Sequence, residues 1–169
     1  VDKSKIVNGS SVQSGDVLIG LPSNGLHTNG YSLARKVLFA KYKVDDYIEE
    51  LGCSLGEELL KIHRSYLHVV HPLAEKGLVS GISHITGGGI VGNTSRVVRK
   101  PLELEIFWDS WQRPPIFQLI QKVGNVPEEE MRQVFNLGIG IILITSEQNA
   151  YSIMETLKAE NPVFIGRIK

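Results

Sequence analysis

Three consecutive glycines, Gly87-Gly88-Gly89, interrupt the middle of this chain and constrain its fold more than any other feature. A glycine run loses conformational entropy wherever it is ordered, so it persists where backbone geometry or close approach demands it. Ahead of it, Gly81-Ile82-Ser83-His84-Ile85 alternates apolar and polar residues as a half-buried strand does, and behind it Ile90-Val91 can open a helix. Strand, glycine turn and helix start form an anion-binding arrangement, because the free N–H groups and the positive end of the helix dipole face the ligand. A phosphate is the expected anion.

Two other readings of the same turn compete with that one. Gly87, Gly89 and Gly92 fit G-x-G-x-x-G, with Glu103 or Glu105 near the distance of a ribose-binding carboxylate. A dinucleotide loop leads into several uninterrupted helical turns, whereas Asn93-Thr94-Ser95 reads as a fresh N-cap and Pro101 closes the segment, so a dinucleotide site is disfavoured. The remaining alternative is a tight turn that needs glycine only for packing.

With 169 residues, 42% of them hydrophobic, the chain has enough material for one ordinary core. Eighteen acidic and eighteen basic residues balance, which removes the electrostatic case for nucleic acid or an anionic membrane surface. Cys53 stands alone, so an intramolecular disulfide and a multi-cysteine zinc site are excluded. The opening Val1-Asp2-Lys3-Ser4-Lys5 lacks the apolar region of a signal peptide, and a cytoplasmic protein is expected. Residues 1–15 are polar, turn-rich and without an initiating methionine; they read as a linker in a chain that begins mid-protein, with the domain proper over 16–169.

Asp16 to Leu21 is a nearly continuous apolar run that predicts a buried strand, ended by Pro22-Ser23-Asn24-Gly25. A polar loop then passes into a helix near Asn29, with Leu33 and Val37 on one face. Helical pieces are predicted over 44–51, 55–62 and 66–76, with Gly52 and Gly77 as stops. His63, His68 and His71 invite a metal reading, but no carboxylate or cysteine completes a ligand set and Pro72 distorts the turn, so no metal site is predicted. Further strands are expected at 102–107, up to Ile144, and at 163–168, with helices from Ile116, from Pro127 and from a Ser146 cap. The class that follows is α+β, a mixed β-sheet with packed helices.

Four motifs then become recognisable in order: Gly25-Leu26-His27-Thr28-Asn29-Gly30-Tyr31-Ser32-Leu33-Ala34-Arg35-Lys36; His84-Ile85-Thr86-Gly87-Gly88-Gly89; Trp111 with Pro114 and Phe117; and Phe135-Asn136 with Gly138 and Gly140. With them the chain resembles, over nearly its whole length, the C-terminal domain of the phosphoribosylformylglycinamidine cyclo-ligase (aminoimidazole ribonucleotide synthetase) family. The resemblance implies a step of purine synthesis in which ATP phosphorylates the formamide oxygen of formylglycinamidine ribonucleotide and an amidine nitrogen closes the imidazole ring. It further implies a separate N-terminal domain that holds most of the Mg-ATP contacts, and a homodimer at full length.

Carried over residue by residue, the resemblance makes His27 the candidate catalytic group, with Asn29, Gly30, Thr86, Gly87, Gly88 and Gly89 binding substrate or phosphate. Arg64, Asn93, Arg96 and Asn136 are further members of that set, although Asn136, Gly138 and Gly140 equally suit a structural turn. His27 is expected to be a loop residue that buries little area. The chain departs from the family pattern at His63-Arg64-Ser65-Tyr66, where Thr-Arg-x-Tyr is common, at Gly92-Asn93-Thr94-Ser95-Arg96-Val97, and at Leu137, where cysteine is frequent. A divergent paralogue with another substrate and a non-catalytic ligand-binding module are the alternative readings.

Overall fold

The computed structural model describes residues 6–169, so the opening pentapeptide read above for a signal peptide lies outside the described residues. The apolar run becomes β1 (Val17–Pro22), flanked by β6 (Ile139–Thr145) and β7 (Val163–Ile168). With β4 (Gly81–His84) beyond β6 and β5 (Leu104–Ile106) beyond β7, the five strands run in the order β4-β6-β1-β7-β5. All four ladders are antiparallel, where a mixed sheet was expected. The strand-helix-strand unit at the end does leave β6 and β7 pointing the same way. β1 lies between them and pairs with both, so that parallel orientation produces no parallel ladder.

Continuous apolar runs form these central strands because both faces of the sheet are covered. Val17, Ile19 and Leu21 face one side with Ile141 and Leu143, packed by α3 (Leu67–Glu75) through Val69 and Leu73 and by α7 (Glu147–Thr156) through Ile153. Leu18, Ile142, Ile144 and Ile165 face the other, against Ile85 and Ile90. Val12 is buried in this second cluster and the Gly15 N–H donates to Ile168 O, so the packed domain begins ahead of Asp16. A third cluster beyond the sheet joins α1 (Tyr31–Leu38), α5 (Pro115–Gly124) and α6 (Glu128–Val134) around Leu38, Phe117, Ile120, Met131 and Phe135.

Two local expectations are corrected. Residues 44–51 form no helix; they lead into a short hairpin of β2 (Tyr47–Ile48) and β3 (Cys53–Ser54). Val44, Ile48 and Leu51 have helical spacing, but Val44 O and Asp46 O accept from the N–H groups of Gly56 and Leu55, which ties the segment to the chain after it. The helix expected over 55–62 is only α2 (Leu55–Leu59), started by a reciprocal Ser54–Glu57 capping box, and Ile62 is exposed. Among the described residues no helix is long and apolar enough to cross a membrane.

Candidate functional site

The connection from β1 to α1, residues 23–30, is held in place by Asn136. The Asn136 side chain accepts from Ser23 Oγ and from the Gly138 N–H, each at 2.8 Å, and donates to Gly25 O at 2.9 Å. All its contacts are internal and it is 3% exposed, so its role is to clamp the loop against the turn before β6. Gly30, in left-handed conformation, is the N-cap of α1 and packs on Phe135. Asn29 lies one residue ahead of that cap, so the helix expected near Asn29 has Gly30 and not Asn29 at its cap position.

His27 is not the exposed loop residue expected from sequence. It is 4% exposed, and its backbone adopts φ 57°. Room for it exists because β6 carries Gly140 here: a Cβ at Gly140 would lie 2.7 Å from His27 Cε1 and closer still to the Tyr66 hydroxyl. His27 Nε2 accepts a long bond of 3.4 Å from the Asn24 N–H, which puts the ring proton on Nδ1. That Nδ1 is buried and has no partner.

Two further histidines meet it. The His63 ring stacks on His27 with centroids 3.9 Å apart and planes at 21°, and His63 Nε2 lies 3.3 Å from His84 Nε2. Burial first, then the neighbouring charges of His63, His84 and Arg64, push the His27 imidazole down to about 4. His63 is lowered as well, by burial and then by His84. Arg64 donates to Pro22 O at 3.0 Å and pairs with Glu160, while Tyr66 donates to the same carbonyl at 2.8 Å. Burial raises the Tyr66 phenol to about 12, so it stays protonated and keeps that bond. His63, Arg64, Ser65, Tyr66, His84 and Ile141 line a cavity of about 440 Å³.

The glycine turn follows β4, with Ile85 and Thr86 between it and His84. It leads into α4 (Gly89–Thr94), and Asn93 lies inside that helix rather than capping a new one. The Asn93 side chain accepts from Thr86 Oγ1 at 3.0 Å and donates to Gly89 O at 2.7 Å and to Thr86 O at 3.2 Å, so it braces the turn from within. The N–H groups of Gly88 and Gly89 donate to Gln133 O and Thr86 O. Gly87 remains exposed, and a Cβ on it would lie 3.7 Å from Asn29 Oδ1. Arg96 is exposed, its guanidinium reaching towards Gly88.

The structure thus brings Asn29 to Gly87, with Arg96 beside Gly88, and His27 to His63, with Arg64 and His84 around them. It turns Asn93, Asn136 and Gly30 to internal support, and the Gly88 and Gly89 N–H groups expected to face an anion are bonded within the fold, with Thr86 tied to Asn93. In sequence His63 reads as a metal candidate and a departure from the family pattern, and His84 as part of a motif. No local pattern announces their meeting, since 21 residues separate them. The donor set is imidazole, amide and guanidinium, suited to anionic oxygen. Among the described residues no group of three or more His, Cys, Asp or Glu could hold a metal ion, so the Mg²⁺ implied by the resemblance finds no ligand set here.

A family model described as "AIR synthase related protein, C-terminal domain" matches residues 13–169. Among curated proteins the chain is 48% identical to the phosphoribosylformylglycinamidine cyclo-ligase of Carboxydothermus hydrogenoformans, over 95% of this chain and 47% of that protein. It is 47% identical to the enzyme of the same name from Syntrophotalea carbinolica, over 99% of this chain and 49% of that protein. The chain therefore spans about half the length of the curated relatives it matches. Among solved structures, Thermotoga maritima PurL complexed with ATP covers 99% of this chain and 24% of its own at a TM-score of 0.54 and 18% identity. The hydrogenase maturation protein HypE covers 95% and 46%, at a TM-score of 0.62 and 16% identity. At such identities these two establish the fold alone.

Proposed function

The chain belongs to the AIR synthase related protein family through its C-terminal domain, and on that premise we propose that it is the C-terminal half of a phosphoribosylformylglycinamidine cyclo-ligase. In this reading the substrate is formylglycinamidine ribonucleotide, whose formamide oxygen takes the γ-phosphoryl group of ATP. An amidine nitrogen then attacks that carbon, the C–O bond to phosphate breaks, and ADP and phosphate leave. A preceding N-terminal domain would hold Mg-ATP, and the full-length protein would be a cytoplasmic homodimer.

The observation that carries the reading is the meeting of the two motif loops, with Asn29 against Gly87 and His27 joined to His84 through the His63 ring between them. His27 is neutral at physiological pH and already uses Nε2 as an acceptor, so the group it would offer a developing oxyanion is Nδ1–H, which the fold buries and leaves unpaired until a ligand atom reaches it. A charged imidazolium acid is not needed. Asn29 and the exposed backbone at Gly87 would position the phosphorylated oxygen or the ribose phosphate.

Steady-state cyclisation by the full-length enzyme tests this. His27→Ala should lower kcat by about 10²-fold, the scale of a lost oxyanion donor. A His27→Ala enzyme that turns over at the wild-type rate would remove His27 from the chemistry.

A further inference from the structure

His63 belongs to none of the four motifs that identify the chain, yet it touches both histidines that do. Its ring lies flat on His27, and its Nε2 meets His84 Nε2 at the end of β4. We propose that His63 is a positioning residue of the site: its stacked ring keeps His27 dry and in one orientation, and its contact with His84 locks the β1–α1 loop to the end of β4. The inference rests on the reading of His27 as the oxyanion donor.

Three observations argue for positioning rather than filling. First, His27 Nδ1 is buried without a partner, so the ring is not held by its own hydrogen bonds; its only one is the long contact from Asn24. A group in that state keeps its orientation only if its faces are packed, and His63 packs one face while the space left by Gly140 admits the edge. Second, His63 is itself anchored at the far side, since a rotation of its ring would break the 3.3 Å contact with His84. Third, the cationic groups around the stack disfavour a proton on His27. Arg64 bears on it from the 63–66 segment, where the neutral Tyr66 ring also lies, His84 stands beyond His63 at the end of β4, and the Glu160 carboxylate is taken up by Arg64 and His68. A neutral donor is thereby maintained by geometry.

The test is an NMR pH titration of the histidine ring signals of this chain. In the wild type His27 should titrate near 4 and in His63→Ala it should move up towards the ordinary 6.5, because water reaches the ring and one neighbouring charge is gone. His63→Phe should leave it low, since the covering face remains. If His63→Ala loses the fold, His63→Gln carries the same expectation as the alanine variant, having length but no aromatic face. An unmoved His27 in a folded His63→Ala or His63→Gln protein overturns the proposal, as does a His63→Phe protein that shifts as far as the alanine variant. The titration needs neither substrate nor turnover, so its failure is separate from a failure of the proposed catalytic role.

Discussion

The loop from β1 into α1 and the turn from β4 into α4 are both glycine-bearing passages from strand to helix, and they treat their polar groups in opposite ways. In the glycine turn, polar atoms bond to one another or to α6: Thr86 to Asn93, Asn93 to Gly89, Gly88 to Gln133. In the β1–α1 loop, Asn136 satisfies the first residues, and then His27 is buried with a ring nitrogen left over. A buried donor without a partner costs about 1–3 kcal/mol, a cost that a bound ligand atom would remove. The first region is a rigid wall and the second holds unused hydrogen-bonding capacity.

The largest expected effect would break the wall. Gly89 has φ +65°, and a Cβ on it would overlap Arg132 O in the backbone of α6. Both the backbone conformation and the clash oppose a side chain, so Gly89→Ala should lower stability by about 3–4 kcal/mol in chemical denaturation. A variant as stable as the wild type would show that the turn and α6 are not rigidly joined.

Next comes the pH dependence that the buried histidine imposes on its loop. Folded, His27 takes a proton only at about 4, whereas unfolded it does so near 6.5. Between these values the unfolded chain binds more protons. Stability is therefore complete above about 6.5 and falls as pH drops to about 4, by at most about 3 kcal/mol from this group. Melting curves from pH 7 to pH 4 should show the decline, and His27→Gln should flatten it. The same slope in both proteins would mean that His27 is not shielded in solution.

Asn136→Ala sharpens the contrast from the side of the clamp. It removes three buried hydrogen bonds and strands Ser23 Oγ, Gly25 O and the Gly138 N–H, for an expected loss of about 2–3 kcal/mol. Calorimetric melting measures it, and a loss below about 0.5 kcal/mol would show that water replaces the amide.

The elements that were legible in the sequence are those whose signal is local. β1 and β6 have apolar runs because both their faces are buried, α5 has Ile116, Leu119 and Ile120 on one stripe, and Ser146 does cap α7. What was missed depends on partners far along the chain. Asn136 bonds to Ser23 across 113 positions, and nothing near either residue distinguishes a clamp from a ligand. His27 reads as a loop residue that buries little area, but the missing side chain at Gly140 makes a niche for it. The hairpin at 47–54 was hidden by helical spacing in 44–51 that tertiary pairing overrides.

The smallest effect on the fold carries the sharpest test of the binding role. Gly87 differs from its two neighbours in backbone, since its φ is not positive while theirs are; it is also exposed, and a Cβ on it would meet Asn29 Oδ1 at an ordinary 3.7 Å. Nothing in the fold therefore demands glycine there, and Gly87→Ala should change stability by no more than about 0.5 kcal/mol. If a phosphate approaches the backbone between Asn29 and Gly87, however, the added methyl group stands in its path. Binding of ribose 5-phosphate, followed by titration calorimetry, should then weaken by about tenfold, or about 1.4 kcal/mol. Unchanged affinity in the folded variant would leave the three glycines as a packing device for α6, and the ligand would have to be sought wholly on the His27 side of the cleft.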